Sequence, residues 1–272
     1  MQYIIIVAVF LLLAVLSITY FRFRAEISET RERVLAGSEL LKTDHGDIEY
    51  AVKGEGPPVL LLHGSGGGYD QGLLLGKQVL GNGFKLISVS RFGFLRTPMP
   101  EDSSVEAQAA LYTALLDYLK IKKVIVIAGS GGGPSALQFA HDYPDRCSAL
   151  ILVSAMSMSM IETFPIKVVH LIQKSDFVYW MFAKFFQSQL LKLIGTPPEV
   201  CKEFTPEEKE LISAPTLILH AKDDKLVNYK HAEFAYRNIK QSKLISFEDG
   251  GHGLLAQFKE VRGYVRIFLS AV

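Results

Sequence analysis

The first stretch of the chain is apolar without interruption. Tyr3 to Phe21 reads YIIIVAVFLLLAVLSITYF and holds no charged position. Wound as a helix at ~1.5 Å per residue it spans about 28 Å, close to the hydrocarbon thickness of a bilayer. The flanks argue against a cleaved signal peptide. Met1 and Gln2 bring no positive charge, and the run ends in Tyr20-Phe21-Arg22-Phe23-Arg24 with no small-residue cleavage site. Tyr3, Tyr20 and Phe21 fall where interfacial aromatics lie. The pattern predicts a transmembrane anchor over 1–21. From 22 to 38 charges of both signs mix, with Glu29 and Arg33 one helical turn apart, and the expectation is a short helical stalk.

From Leu40 the period changes. Residues 40–43 (LLKT) and 48–53 (IEYAVK) flank the turn residues Asp44-His45-Gly46-Asp47, which predicts a hairpin. Short apolar runs bounded by turn residues follow at 59–62 (VLLL), 86–89 (LISV), 124–128 (VIVIA), 150–153 (LILV), 216–219 (TLIL) and 244–247 (LISF). They are too short for helices and rich in Val, Ile and Leu, as strands buried on both faces are. Helical patterns lie between them. One covers 105–120, with Leu111, Leu115, Leu116 and Leu119 on one face, and others cover 133–143 and 229–239. This alternation predicts an α/β fold, a mainly parallel sheet of about eight strands flanked by helices.

Residues 155–213 break the rhythm, since the gap between two strands is far longer than a connecting loop. The stretch is rich in Met, Phe and Leu. Its Thr205-Pro206-Glu207-Glu208 has an N-cap Thr, a Pro at the first helical position and a Glu three residues on. The expectation is a helical cap over one edge of a core formed by 39–154 and 214–272.

Charge narrows the function. Lys and Arg number 29 against 28 Asp and Glu, a formal net charge of +1, so the basic face of a nucleic-acid binder is not expected. Cys147 and Cys201 stand far apart in no metal-ligand spacing. They read as buried free thiols rather than a disulfide framework or a zinc site. Arg22, Arg24, Arg31 and Arg33 all follow the apolar run, which by the positive-inside rule keeps the body of the chain on the cytoplasmic side. Membrane lipid is then one partner, through the N-terminal helix.

The sharpest chemical signal is Ala128-Gly129-Ser130-Gly131-Gly132-Gly133, between a β-rich run and a helix. That is the strand–turn–helix setting of a nucleophile elbow, with small residues two before and two after Ser130. A Walker loop would need Gly-Lys-Ser/Thr at its end. A dinucleotide turn would need a glycine where Pro134 stands. Upstream, His63-Gly64-Ser65-Gly66-Gly67-Gly68 directly follows a strand, where the oxyanion-hole loop of such a sheet is expected. Backbone N–H groups of Gly131 and Ser65, with Gly66 as the neighbouring candidate, are the expected oxyanion donors. His63 reads as a bracket of this loop rather than a base. Downstream, Asp223 and Asp224 follow the run 216–219, at the strand end where ligands of open α/β sheets bind. His252 sits between glycines in Asp249-Gly250-Gly251-His252-Gly253. Of seven histidines it alone has a setting that packing explains poorly.

These motifs resemble those of Ser-dependent proteins of the α/β-hydrolase fold, over about residues 40 to 272. Val59-Leu60-Leu61-Leu62-His63-Gly64 is similar to that family's oxyanion strand and loop, Ala128 to Gly133 to its elbow, and Gly251-His252 to its catalytic-histidine loop. In the family the triad acid lies three residues after the small residue closing its strand. Counting from Ala221 implies Asp224, with Asp223 as the fallback. The resemblance departs at Ala128 and Ala221, where Gly is usual, and at Arg91, where many relatives have Asp at a structural position. It implies a Ser130–Asp224–His252 triad acting on a small-molecule acyl substrate, with a carboxylic ester as the first expectation, and the apolar insertion residues Phe164, Trp180, Phe182, Phe185 and Phe186 suggest that this substrate carries an apolar group. No metal or organic cofactor is required. Amide, thioester, acyl-transfer or cofactor-free peroxidation chemistry on the same fold stays open, as does a non-catalytic binding scaffold.

Overall fold

The computed structural model describes residues 2–158, 175–185, 211–254 and 256–272. Helix α1 runs unbroken from Gln2 to Ala36, so the apolar run and the charged stretch after it form one rod. It is long and apolar enough to cross a bilayer, and its most apolar window is wholly unburied.

Eight strands follow: β1 (Glu39–Thr43), β2 (Gly46–Lys53), β3 (Pro58–Leu62), β4 (Lys85–Val89), β5 (Val124–Gly129), β6 (Cys147–Val153), β7 (Thr216–Ala221) and β8 (Ser242–Phe247). They form one sheet in the order β1-β2-β4-β3-β5-β6-β7-β8. β2 pairs antiparallel with β1 and β4, and every other pairing is parallel. The register sets Leu62 opposite Ala128, and Val153 opposite both Gly129 and Leu219. The C-terminal ends of β3, β5, β6 and β7 therefore reach one edge together, which is where a site can be assembled.

Both faces of the sheet are covered, and this is why the central strands are apolar throughout. On one face Leu60, Leu62, Val126, Ala128, Leu150 and Leu152 share a core with α3 (Val105–Tyr118) and α4 (Gly133–Asp142). On the other, Val59, Leu61, Ile127, Ile151, Leu217 and Leu219 meet α2 (Tyr69–Leu80). At ~2 kcal/mol for each fully buried Leu, Ile or Val, this two-sided core dominates the stability of the sheet. Strand β6 also buries Cys147, whose thiol is pushed up to about 12 by burial and is inert at neutral pH. Cys201 lies outside the described residues.

The pattern of hydrophobic positions does not announce α2, because Gly72 and Gly76 interrupt it. The structure explains both glycines. A Cβ at Gly72 would stand 2.1 Å from Ser88 Oγ, and one at Gly76 would stand 2.6 Å from Leu61 Cδ1. The helix lies so close to β3 and β4 that a side chain at either position would have to displace Ser88 or Leu61.

Within the insertion one helix is described, α5 (Asp176–Phe185). The rest of the expected cap, including the helix start at Thr205-Pro206, lies outside the described residues. Helices α6 (Lys230–Asn238) and α7 (Phe258–Leu269) complete the order. The chain divides into two compact units, Met1–Gly37 with Thr163–Gly195, and Ser38–Glu162 with Thr196–Val272.

Candidate active site

Strand β5 ends at Gly129, Ser130–Gly132 makes one 3-10 turn, and α4 begins at Gly133. Ser130 takes φ +50°, a left-handed conformation that costs a non-glycine residue about 1–3 kcal/mol and collects at functional sites. Its neighbours must be small for measurable reasons. A Cβ at Gly132 would lie 2.6 Å from the Leu62 carbonyl oxygen, and one at Gly133 would lie 2.0 Å from that of Met156. The Met156 N–H donates to the Ser130 carbonyl at 2.9 Å, tying the turn to the segment after β6. Ser130 thus stands at the end of a central strand and at the N-terminus of a helix, whose unpaired N–H groups favour negative charge.

The loop after β3 is fixed from β4. The backbone N–H of Arg91 donates to His63 Nε2 at 2.9 Å, and Nδ1–H of His63 donates to the Gly64 carbonyl at 2.5 Å. The Arg91 side chain reaches back to the carbonyls of His63 (2.9 Å) and Gly64 (3.2 Å). His63 is fully buried, and burial together with the Arg91 charge holds its pKa well below the usual imidazole range. With Nε2 already accepting, this neutral ring braces the loop and is unavailable as a base. Gly64 then passes so near the elbow that a Cβ there would be 3.0 Å from Ser130 Cβ. Ser65 and Gly66 form the turn that follows. Beyond it, Ser90 Oγ accepts from the Tyr69 N–H at 3.1 Å and donates to buried Glu49 at 2.8 Å, which pins the start of α2.

The acidic and basic groups come from the far end of the sheet. Asp224, 5% exposed, lies three residues past β7. Its Oδ1 accepts the N–H groups of Leu226 (2.9 Å) and Val227 (3.0 Å). Its Oδ2 faces His252 Nδ1 at 2.9 Å and His220 Nε2 at 3.4 Å. Burial pushes the Asp224 carboxyl pKa up, but the hydrogen bonds from His220, His252 and the Val227 N–H together outweigh it. The net effect holds the group far below the usual carboxylate range, so it stays ionised.

The loop carrying His252 needs unusual backbone, with φ +142° at Gly250, +58° at Gly251 and +86° at Gly253. Two bonds set its position. The Gly251 N–H donates to Asp223 Oδ1 at 2.8 Å, and the Gly253 N–H donates to Ser154 Oγ at 3.2 Å. The two adjacent aspartates therefore have different tasks: Asp224 meets the imidazole, and Asp223 holds the loop behind it.

Ser130, His252 and Gly64 line one cavity, and Leu74, Leu75 and Val153 give it an apolar wall. With His252 Nδ1 committed to Asp224, Nε2 is the nitrogen left for proton exchange. Gly131 is buried in the turn directly after Ser130. The sequence reading missed His220 and Ser154. His220 reads as the end of a strand, and only its i,i+4 spacing to Asp224 hints that both reach one place. Ser154, with φ +46°, gives no signal at all.

Comparison with known proteins places this arrangement. A family model for the alpha/beta hydrolase fold matches residues 57–202, more than half of the chain. An uncharacterized hydrolase of Bacillus subtilis (strain 168) is 39% identical over 121 residues, which cover 44% of this chain and 42% of that protein, under half of its length. The 2-hydroxy-6-oxononadienedioate/2-hydroxy-6-oxononatrienedioate hydrolase of Comamonas testosteroni is 26% identical over 253 residues, covering 80% of this chain and 88% of its own. Among solved structures, a membrane phospholipase A aligns over 100% of this chain and 99% of its own with a TM-score of 0.69. At 19% identity that likeness is one of fold. The eight-stranded order, the elbow after β5 and a family match of this extent lead to one assignment: the chain belongs to the alpha/beta hydrolase fold family and is a hydrolase of that fold.

Proposed function

We propose that the protein is a membrane-anchored serine hydrolase that cleaves a carboxylic ester, or a related acyl compound, bearing an apolar group. The observation that carries this reading is His252 Nδ1 at 2.9 Å from buried Asp224, with the same imidazole lining one cavity with Ser130. Ser130 Oγ attacks the carbonyl carbon while His252 Nε2 takes the hydroxyl proton. Asp224 orients the ring and stabilises its charged form. The N–H groups of Gly131 and Ser65, with Gly66 beside it, hold the tetrahedral oxyanion, at roughly 3 kcal/mol per donor. Collapse of the intermediate expels the alcohol, which takes the proton from His252. Water then gives a proton to His252 as it attacks the acyl-enzyme carbonyl, and collapse of the second intermediate breaks the bond to Ser130 Oγ, which takes the proton back from His252 as the acid leaves. The apolar wall from Leu74, Leu75 and Val153 supports an apolar acyl or alcohol group.

Residues 1–21 form the anchor and 22–38 the stalk. The hydrolase core is 39–154 with 214–272, and 155–213 forms the cap. The arginines that follow the apolar run support a cytoplasmic position for the core.

The test combines labelling with turnover. A fluorophosphonate is expected to form one adduct, mapped to Ser130, and esters of graded chain length are expected to be hydrolysed faster than matched amides. An adduct on Ser65 or Ser135, or turnover of amides alone, would overturn the assignment.

His220 gives a finer test. Its Nε2 lies 2.8 Å from the Val227 carbonyl and 3.4 Å from Asp224 Oδ2, so one N–H serves both. A hydrogen bond to a charged group is worth about 1.5–3 kcal/mol. His220→Phe is therefore expected to lower kcat by roughly tenfold or more with KM little changed, while a purely structural role would lower Tm and spare kcat.

A further inference from the structure

Helix α5 belongs to the same compact unit as α1 and meets it at one level. Phe177 and Trp180 pack on Phe23, with ring centroids 5.2 and 5.7 Å away, and Phe177 lies 5.9 Å from Tyr20. The Trp180 indole N–H donates to Glu26 Oε2 at 2.9 Å, and Lys184 pairs with the other oxygen of that carboxylate. Tyr20, Phe23 and Glu26 are spaced three apart and share a face of α1. They also mark where the uncharged run gives way, for Phe21 is its last residue and Arg22 and Arg24 carry the first charges. From Tyr20 to Glu26 the helix rises about 9 Å. That is close to the thickness of one polar headgroup layer, roughly 5–8 Å.

The composition of α5 suits that depth. Its sequence, DFVYWMFAKF, places aromatic residues at five of its ten positions and one Lys near its end. At ~1.5 Å per residue its length is about 15 Å, too short to span a bilayer. Phe185 is 61% exposed, and Lys184 lies over the Trp180 ring at 5.4 Å. Tyr and Trp are enriched where a membrane protein crosses from hydrocarbon to headgroups.

We propose that α5 lies in the membrane interface as a second lipid-contacting surface, with Trp180 at headgroup depth. This rests on the reading of α1 as a membrane anchor. The bilayer is the occupant that the position of α5 selects, because its aromatic cluster continues the apolar rod of α1 at the point where that rod would leave the hydrocarbon. Arg22 and Arg24 set positive charge at that level.

The chain contains a single tryptophan, so Trp180 reports on this helix without further engineering. The full chain is reconstituted into phosphatidylcholine vesicles in which part of the lipid carries bromine either near the headgroup end of its acyl chains or near the terminal methyl. Flotation in a density gradient reads the anchor separately. The expected result is that the protein floats and Trp180 emission falls, more with shallow bromine than with deep. Acrylamide in the water should then quench it weakly. If the protein floats but bromine leaves the emission unchanged, α5 lies outside the lipid and the inference is overturned while the anchor stands. Strong acrylamide quenching would then place α5 in water, and weak quenching would place it under protein. If the protein does not float, the anchor reading fails and this inference with it. Phe185→Trp in a Trp180→Phe background supplies a second reporter on the same helix and is expected to give the same ranking of quenchers.

Discussion

Ser130→Ala is expected to remove ester turnover almost completely, with kcat falling by about 10⁶-fold, as deletion of the serine does in well-measured triads. Labelling by a fluorophosphonate should vanish with it. The fold should survive, because the change deletes one hydroxyl from a cavity wall and leaves every backbone bond of the elbow in place. Ala and Ser pay a similar cost at φ +50°, so the strain of the turn is unchanged. Tm is therefore the control. A variant with native Tm and no turnover places the chemistry on Ser130, whereas turnover within tenfold of the parent would refute the proposed nucleophile.

Asp224→Asn is the second large effect, a fall in kcat of roughly 10⁴. The amide would offer a donor to His252 Nδ1 where the carboxylate accepts, and the ring would settle in the wrong tautomer. The amide oxygen can still take the N–H groups of Leu226 and Val227 that now bond Oδ1, so the turn itself is kept. Asp223→Asn makes the contrast. Its oxygen can still accept from Gly251, and only the charge assistance of one exposed hydrogen bond is lost. The expected loss is under about tenfold, in line with ~1 kcal/mol for such a bond. Should Asp223→Asn prove the more damaging change, the two aspartates would exchange roles.

What the chain discloses on its own follows from how local each signal is. Strands β3, β5, β6 and β7 are legible because burial on both faces makes their runs continuously apolar. The elbow is legible because its smallness is a property of adjacent residues. Helix α2 is not, since Gly72 and Gly76 look like breakers until Ser88 and Leu61 are seen pressing against them. Helix α7 is faint because only Val261 and Val265 are fully buried along its length. Counting from Ala221 favours Asp224 over Asp223 but gives no physical reason for the choice. That choice depends on which carboxylate turns inward after β7, and that is decided by the N–H groups of Leu226 and Val227. His220 and Ser154 stayed hidden for a related reason. His220 reaches Asp224 only through the turn that follows β7, and Ser154 meets Gly253 from a loop ninety-nine residues on, so neither contact leaves a pattern in neighbouring positions.

The segment that leaves β6 toward the insertion is fastened before it departs. The Ser154 N–H bonds the Leu219 carbonyl, the Met156 N–H bonds the Ser130 carbonyl, and Ser157 bonds His231 through both its N–H (3.1 Å) and its hydroxyl (2.6 Å). For anyone recombining this protein with a relative, the crossover point follows from those bonds. A graft that begins at the end of the strand would import foreign residues into the cradle of the elbow and exchange the hydroxyl that steadies the His252 loop. A graft that begins after Met158 leaves that stitching native, so the insertion can be exchanged while the bonds that hold the elbow and the His252 loop stay in place.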